Sequence, residues 1–320
     1  MRGSQKYQVK MVMQQLEAKG ESRHAGKNEA RAEGAKGSHE IAQRTGVHSY
    51  NHERGIKSTL NAVLDFQRAN YGKADIEHIT PDVLGAFFAD RIGNVSASTI
   101  KIDCARLSKA EGGLKSLFGH DPNWYSTLQE VKGISRDVSP RVEPPSRYQS
   151  QDNRANINAN ITNEKCQFAN RIAQEAGLRV KEVCNIRDNY TDRHGNWHGL
   201  RGIHADPLTG QEKGYIDVKG KGGKWRTVAI EVETYKELEK RLSESPNNSF
   251  SVSTRTYSYN YSAAAERAGV ETQGPHDDRH SWYQDRIAEL VEAGVDFQQA
   301  CDIGDHELGH ERSMYDIYGR

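Results

Sequence analysis

Apolar side chains along this 320-residue chain fall into separate blocks of helical spacing, with one stretch in which they alternate instead. Ile56, Leu60, Val63 and Leu64 share one face of a first core helix. Thr80-Pro81-Asp82 supplies an N-cap residue with proline at the first helical position, and Val83, Leu84, Phe87, Phe88 and Ile92 continue from it as a second stripe. A third stripe follows Ser98 through Ile100, Cys104, Leu107 and Leu114. Helical spacing resumes at Ile161, Cys166, Phe168, Ala169, Ile172 and Ala173, and again at Leu178, Val180, Val183 and Ile186. The period then shortens, so that Leu200 to His204, Tyr215 to Val218 and Trp225 to Ile230 read as three short strands, the last two facing each other across a glycine-rich turn. Further helices are predicted at Thr234 to Leu242, Tyr259 to Ala268, His276 to Ala293 and from Ser313 onward. The fold class is therefore mainly α with a small antiparallel β-sheet (α+β).

Residues 1–47 carry few large apolar side chains after Leu16 and are expected to form a flexible or partly helical arm. Residues 48–135 form a helical domain, the Pro140, Pro144 and Pro145 cluster marks a linker over 136–154, and residues 155–320 form the second domain. Net charge is zero, yet residues 1–150 hold 22 basic and 17 acidic side chains, a net +5, leaving net −5 to the remainder. Mean hydropathy of −0.86 fits a soluble chain. No apolar run approaches the roughly 18 residues of a membrane-spanning helix, and the opening MRGSQKYQVK lacks a secretory apolar stretch, so a cytoplasmic location is expected. Cys104, Cys166, Cys184 and Cys301 have neither disulfide-framework nor zinc spacing and are expected to be buried thiols.

Four segments carry candidate chemistry: Gly177-Leu178-Arg179-Val180-Lys181-Glu182-Val183, the Lys219 to Lys224 turn KGKGGK, His276-Asp277-Asp278-Arg279-His280, and Leu308-Gly309-His310 with Tyr315 and Tyr318 beyond it. Each alone has a bland reading as a solvated charge, a hairpin turn or a core histidine. As an ordered set over 155–320, in a chain whose resemblance runs from about residue 50 to 320, they are similar to the tyrosine recombinases, the family of phage and mobile-element integrases.

That resemblance implies a site-specific recombinase that cuts and rejoins double-stranded DNA through a 3′-phosphotyrosine, without metal, ATP or other cofactor. Arg179 and Arg279 match the family's two arginines, whose planar guanidinium forks suit phosphate oxygens. Lys221 matches the lysine that protonates the departing 5′ oxygen, with Lys219 and Lys224 as alternatives. His276 and His310 match the family's histidine positions, Glu182 a bracing acid, and His280 follows the second arginine as a supporting residue. Tyr318 is expected to be the nucleophile, with Tyr315 one turn away as its rival. The helical domain is the expected core-binding module, and the two domains together are expected to clamp DNA, with homo-tetramers forming on paired sites and accessory directionality or DNA-bending proteins as possible partners.

Some features depart from the family pattern. Asp277 and Asp278 bring negative charge toward a phosphate site and must point away from it, and the short segment after Tyr318 puts exchange of a C-terminal helix between protomers in doubt. Two other readings compete. His276-x3-His280 and His306-x3-His310, with Asp305 or Glu307, have the spacing of zinc pairs in a metallohydrolase, and a catalytically inactive DNA-binding relative would keep the fold without needing the tyrosine.

Overall fold

The computed structural model describes residues 3–138, 146–310 and 312–319. The chain divides into two units, Met1–Glu143 and Pro144–Arg320. The proline cluster expected as a linker falls within 139–145, outside the described residues.

The first unit is all helical: α1 (Gln5–Gln15), α2 (Arg23–Ala32), α3 (Ser38–Arg44), α4 (Tyr50–Tyr71), α5 (Pro81–Arg91), α6 (Ala97–Phe118) and α7 (Tyr125–Val138). Thr80 caps α5 as its sequence indicates, its side chain accepting from the Val83 amide, with proline in the first turn. The cap of α6 is Ser96, two residues before the serine expected to open it. Ile56, Leu60, Leu84, Phe88, Ile100 and Leu107 meet in the core. The expected arm differs most. Val9, Val12, Met13 and Leu16 of α1 enter that same core, while Gly112 and Gly113 of α6 leave no room for a Cβ against Gln43 and Val12. A few well-placed apolar residues anchor a polar segment when the opposing helix offers glycines.

The second unit contains α8 (Gln151–Ala159), α9 (Glu164–Ala176), α10 (Val180–Val183), β1 (Asn185–Arg187), β2 (Tyr190–Thr191), β3 (Trp197–His198), β4 (Leu200–Ala205), β5 (Glu212–Lys219), β6 (Trp225–Ile230), α11 (Val232–Ser243), β7 (Ser249–Ser251), α12 (Thr254–Ala268), α13 (Asp277–Glu292), α14 (Phe297–Glu307) and α15 (Tyr315–Tyr318). Strands β4, β5 and β6 form an antiparallel sheet in that order, with Lys219 opposite Trp225 at the turn that carries Lys221. Ile186 is not helical as expected: it pairs with Phe250 in a small β1–β7 ladder. Residues 151–154, assigned to the linker from sequence, open α8. The helix expected from Ser313 is only four residues long, and α14 was not anticipated. All four cysteines are free and buried. Among the described residues no helix is long and apolar enough to cross a membrane.

Two cores build this unit. One gathers Ile172, Val183, Ile216, Leu238 and Tyr261 from α9 to α12 and the sheet. The other holds Tyr283, Leu290, Cys301, Leu308, Met314 and Tyr318 from α13, α14 and α15.

Candidate active site

Arg179 is the N-cap of α10, and Glu182 on the same turn accepts from its backbone amide at 2.9 Å and from its Nη1 at 2.8 Å. The glycine ahead of it is required by geometry. Gly177 has φ +57°, and a Cβ there would meet the Trp282 ring at 2.7 Å. Its carbonyl accepts from Arg279 Nη1 at 2.6 Å.

Arg279 lies in the first turn of α13, fully buried. Nη2 donates to the Leu308 carbonyl at 2.7 Å and faces His310 Nε2 at 3.2 Å. Burial pushes this guanidinium down to about 10, which still leaves it charged at neutral pH. The Leu308-Gly309-His310 segment supplies both contacts because α14 ends there. Gly309, at φ +74°, turns the chain out of the helix, leaving the Leu308 carbonyl for Arg279 and bringing His310 toward both arginines. Arg179 Nη2 reaches the same His310 nitrogen at 3.3 Å.

Tyr318 completes the cluster. Its ring is buried, with centroids 5.5 Å from His310, 4.5 Å from His280 and 5.9 Å from His276, and its hydroxyl lies 3.4 Å from Arg279 Nε. Tyr315 is 39% exposed and packs edge-on against Phe297 instead. Burial first, then the neighbouring cations, lower His276 and His310 to about 4. His280 also falls to about 4, through burial and then His276. All three rings are neutral at pH 7.

Glu182 is 2% exposed and braces the arrangement. Arg226, on β6, closes on it with Nη1 at 3.1 Å and Nη2 at 2.8 Å, and donates from Nε to the Glu307 carbonyl at 3.0 Å. Burial would raise the Glu182 carboxyl, but Arg226 and then Arg179 overcome it and hold it at about 2. Arg226 was missed in the sequence. Its signal was there: it shares a strand face with Val228 and Ile230, both buried, and a cation in such a register calls for a buried acid.

Lys221 begins a short 3-10 turn, Lys221–Gly223, and is exposed. The base of its turn adjoins the brace, since a Cβ on Gly220 would stand 3.1 Å from Arg226 Nη1 and 3.4 Å from Glu182 Oε1. Lys219 instead lies 5.8 Å from the Trp225 ring centroid, and Lys224 is exposed on the far side of the turn.

The two aspartates do point away. Asp277 accepts from Thr272 Oγ1 at 2.7 Å and the Gln273 amide at 2.6 Å, and Asp278 accepts from Asn170 Nδ2 at 2.8 Å. Burial lifts Asp278 to about 7. Of the two proposed zinc pairs, His276 and His280 lie with ring centroids 5.3 Å apart, but the other does not form. His306 is exposed in the last turn of α14 and His310 lies beyond that helix. Among the described residues no three His, Cys, Asp or Glu side chains are grouped to hold a metal ion.

No family model matches this chain, and no curated protein does either. Solved structures do. A lambda integrase fragment, residues 75 to 356, crystallised as a dimer bound to a COC′ core site, superposes with TM-score 0.56 at 16% identity, covering 93% of this chain and 95% of that one. XerH recombinase in a post-cleavage complex with a palindromic difH substrate gives 0.55 at 13%, covering 97% and 95%. A lambda integrase tetramer on a Holliday junction gives 0.54 at 15%, covering 92% and 76%. The chain has the tyrosine-recombinase fold, mainly helical with small antiparallel sheets.

Proposed function

We propose that this chain is a site-specific DNA recombinase that breaks and rejoins strands through a tyrosyl phosphodiester. The observation that carries the reading is the meeting of Arg179 and Arg279 at His310 beside Tyr318. Two guanidinium groups braced by one buried carboxylate make a cationic cluster of the kind that suits a phosphate, with a phenol against it.

In this reaction the Tyr318 hydroxyl gives its proton to a neighbouring neutral histidine, its oxygen attacks phosphorus, a P–O bond to the tyrosine forms, and the bond to the 5′ oxygen breaks. The departing oxygen takes a proton from Lys221, whose exposed turn leaves the ammonium free to reach into a groove. Arg179 and Arg279 offset the charge that develops on the non-bridging oxygens. Bond energy stays in the phosphotyrosine, so rejoining is the same reaction run backward with a new 5′ hydroxyl. His310 and His276, neutral beforehand, are the hydrogen-bonding groups beside the phenol and the acceptors for its proton. The partner is double-stranded DNA, the working assembly a tetramer on paired sites, and the setting a phage or other mobile element in a bacterial cytoplasm.

The test is a nicked suicide duplex carrying the element's junction sequence, incubated in EDTA. A covalent 3′-phosphotyrosine adduct that maps to Tyr318 is expected. Intact binding without an adduct on such a substrate would leave a DNA-binding protein only.

A further inference from the structure

The β2–β3 hairpin contributes nothing to the arginine and tyrosine cluster, yet it is fastened to the sheet that carries Lys221. His198 stacks on Trp225 with ring centroids 3.9 Å apart and planes 7° from parallel. Its two ring nitrogens face Asp192 Oδ2 at 3.2 Å and Asp217 Oδ2 at 3.4 Å. Asp217 is held in turn by Arg201 Nε at 2.9 Å and Thr227 Oγ1 at 2.8 Å. Because Trp225 pairs with Lys219 across the sheet, the hairpin and the lysine turn share one base.

Charge in this segment is sorted by side. Asp188 is turned inward to accept from the Leu200 amide at 2.9 Å, Asp192 accepts the His194 and Asn196 amides at 2.8 and 2.9 Å, and Asp217 is buried. Arg187 and Arg193 face out, while Arg201 is turned onto Asp217 and the Trp197 carbonyl. Arg187 lies over the Tyr190 ring at 5.2 Å and Arg201 over the Trp197 ring at 4.8 Å, with Arg193 exposed between them at the hairpin tip. Trp197 is 41% exposed. A purely solvated turn gains nothing by presenting an indole under a guanidinium while tying up its own carboxylates.

We propose that this hairpin is a second nucleic-acid contact, in which Arg187 and Arg193, with the exposed Trp197 ring beside them, hold the sugar–phosphate backbone of duplex DNA flanking the strand at the tyrosine site. The proposal rests on the DNA reading above. Outward cations whose acids are already occupied release counterions from a polyanion. Arg201, spent on Asp217 and on the Trp197 carbonyl, holds the indole in place before the ligand arrives and so lowers the ordering cost of binding. An acidic protein would also meet the charge, but Arg187, the Tyr190 ring, Trp225 and Lys219 follow one another toward the Lys221 turn, and a continuous backbone matches that path.

The test is fluorescence anisotropy of the full-length chain with a labelled mixed-sequence duplex across a salt series. Arg187→Gln, Arg193→Gln and Trp197→Ala combined should weaken binding and lower the log–log salt slope by about one unit per phosphate contact removed. The melting temperature should stay unchanged, and Arg193→Lys alone should keep the slope. Wild-type affinity and slope in the triple variant would overturn the proposal, as would a loss confined to a single-stranded probe. Binding is read without chemistry. A protein that forms no adduct, yet loses duplex affinity in the triple variant, would therefore sink the cleavage reading and keep the hairpin contact.

Discussion

Nε2 of His310 stands 3.2 Å from Nη2 of Arg279, and because a guanidinium only donates, that ring nitrogen must accept. The second arginine enforces the same tautomer from the other side. The proton of the neutral ring is therefore on Nδ1.

This fixes a pH dependence. Burial and the arginines set the folded His310 near 4, against 6.5 for an ordinary histidine. The folded value is the lower one, so the native state loses stability as pH falls from about 6.5 to about 4. Ring nitrogen NMR should show a neutral His310 with bare Nε2 at pH 5.5. A titration midpoint near 6.5 would break the link to the arginines.

Arg226→Met should destabilise the second unit by about 3 kcal/mol in urea unfolding, since it takes two charged hydrogen bonds from a buried carboxylate and leaves it those of Arg179. Glu182 sits near 2 when folded, against 4.5 ordinarily. With the folded value depressed, its contribution is complete above pH 4.5 and is lost as pH drops toward 2. Glu182→Gln should flatten that part of the acid limb. An unchanged limb would mean the brace contributes little.

Tyr318→Phe should abolish the covalent adduct and leave duplex affinity near wild type, because one weakly bonded hydroxyl is removed and no phosphate-binding charge is lost. Tyr315→Phe should react normally, as its ring faces Phe297. The reverse pattern on a denaturing gel transfers the role to Tyr315.

Lys221→Ala should cleave slowly on ordinary DNA and recover when the scissile 5′ oxygen is replaced by sulfur, since a thiolate leaves without a proton. Arg179→Lys and Arg279→Lys should be crippled on both substrates, their deficit being in the transferring phosphate. Lys219→Ala and Lys224→Ala serve as controls from the same turn. Rescue of Lys224→Ala in place of Lys221→Ala would move the acid three residues along.

The readable parts of this chain were those written locally. Thr80-Pro81 caps a helix wherever it stands, and the strands around KGKGGK alternate and turn within a dozen residues. What escaped depends on distant partners. Ile186 follows a helix-like apolar spacing but becomes a strand because Phe250, 64 positions later, pairs with it. Arg226 shares its strand register with Val228 and Ile230, but which acid meets it shows only once Glu182 is placed opposite. The arm-like start of the chain is held by glycines of α6 that periodicity does not weigh. The motif residues themselves were visible because each sits at a helix end or a turn, where Gly177 and Gly309 are demanded by backbone conformation.

Tyr318 rides on a helix of four residues, while Arg279, its neighbour, is locked at the start of a sixteen-residue helix by two backbone carbonyls. Four residues are too few to nucleate a helix unaided, and α15 is held through Met314 and the tyrosine ring itself. The Tyr318 phenol and the Arg279 guanidinium thus belong to segments of unequal cooperativity. Amide exchange should show α15 opening well before α13, so that the Tyr318 ring can swing out and uncover Arg279 while the start of α13 keeps its shape.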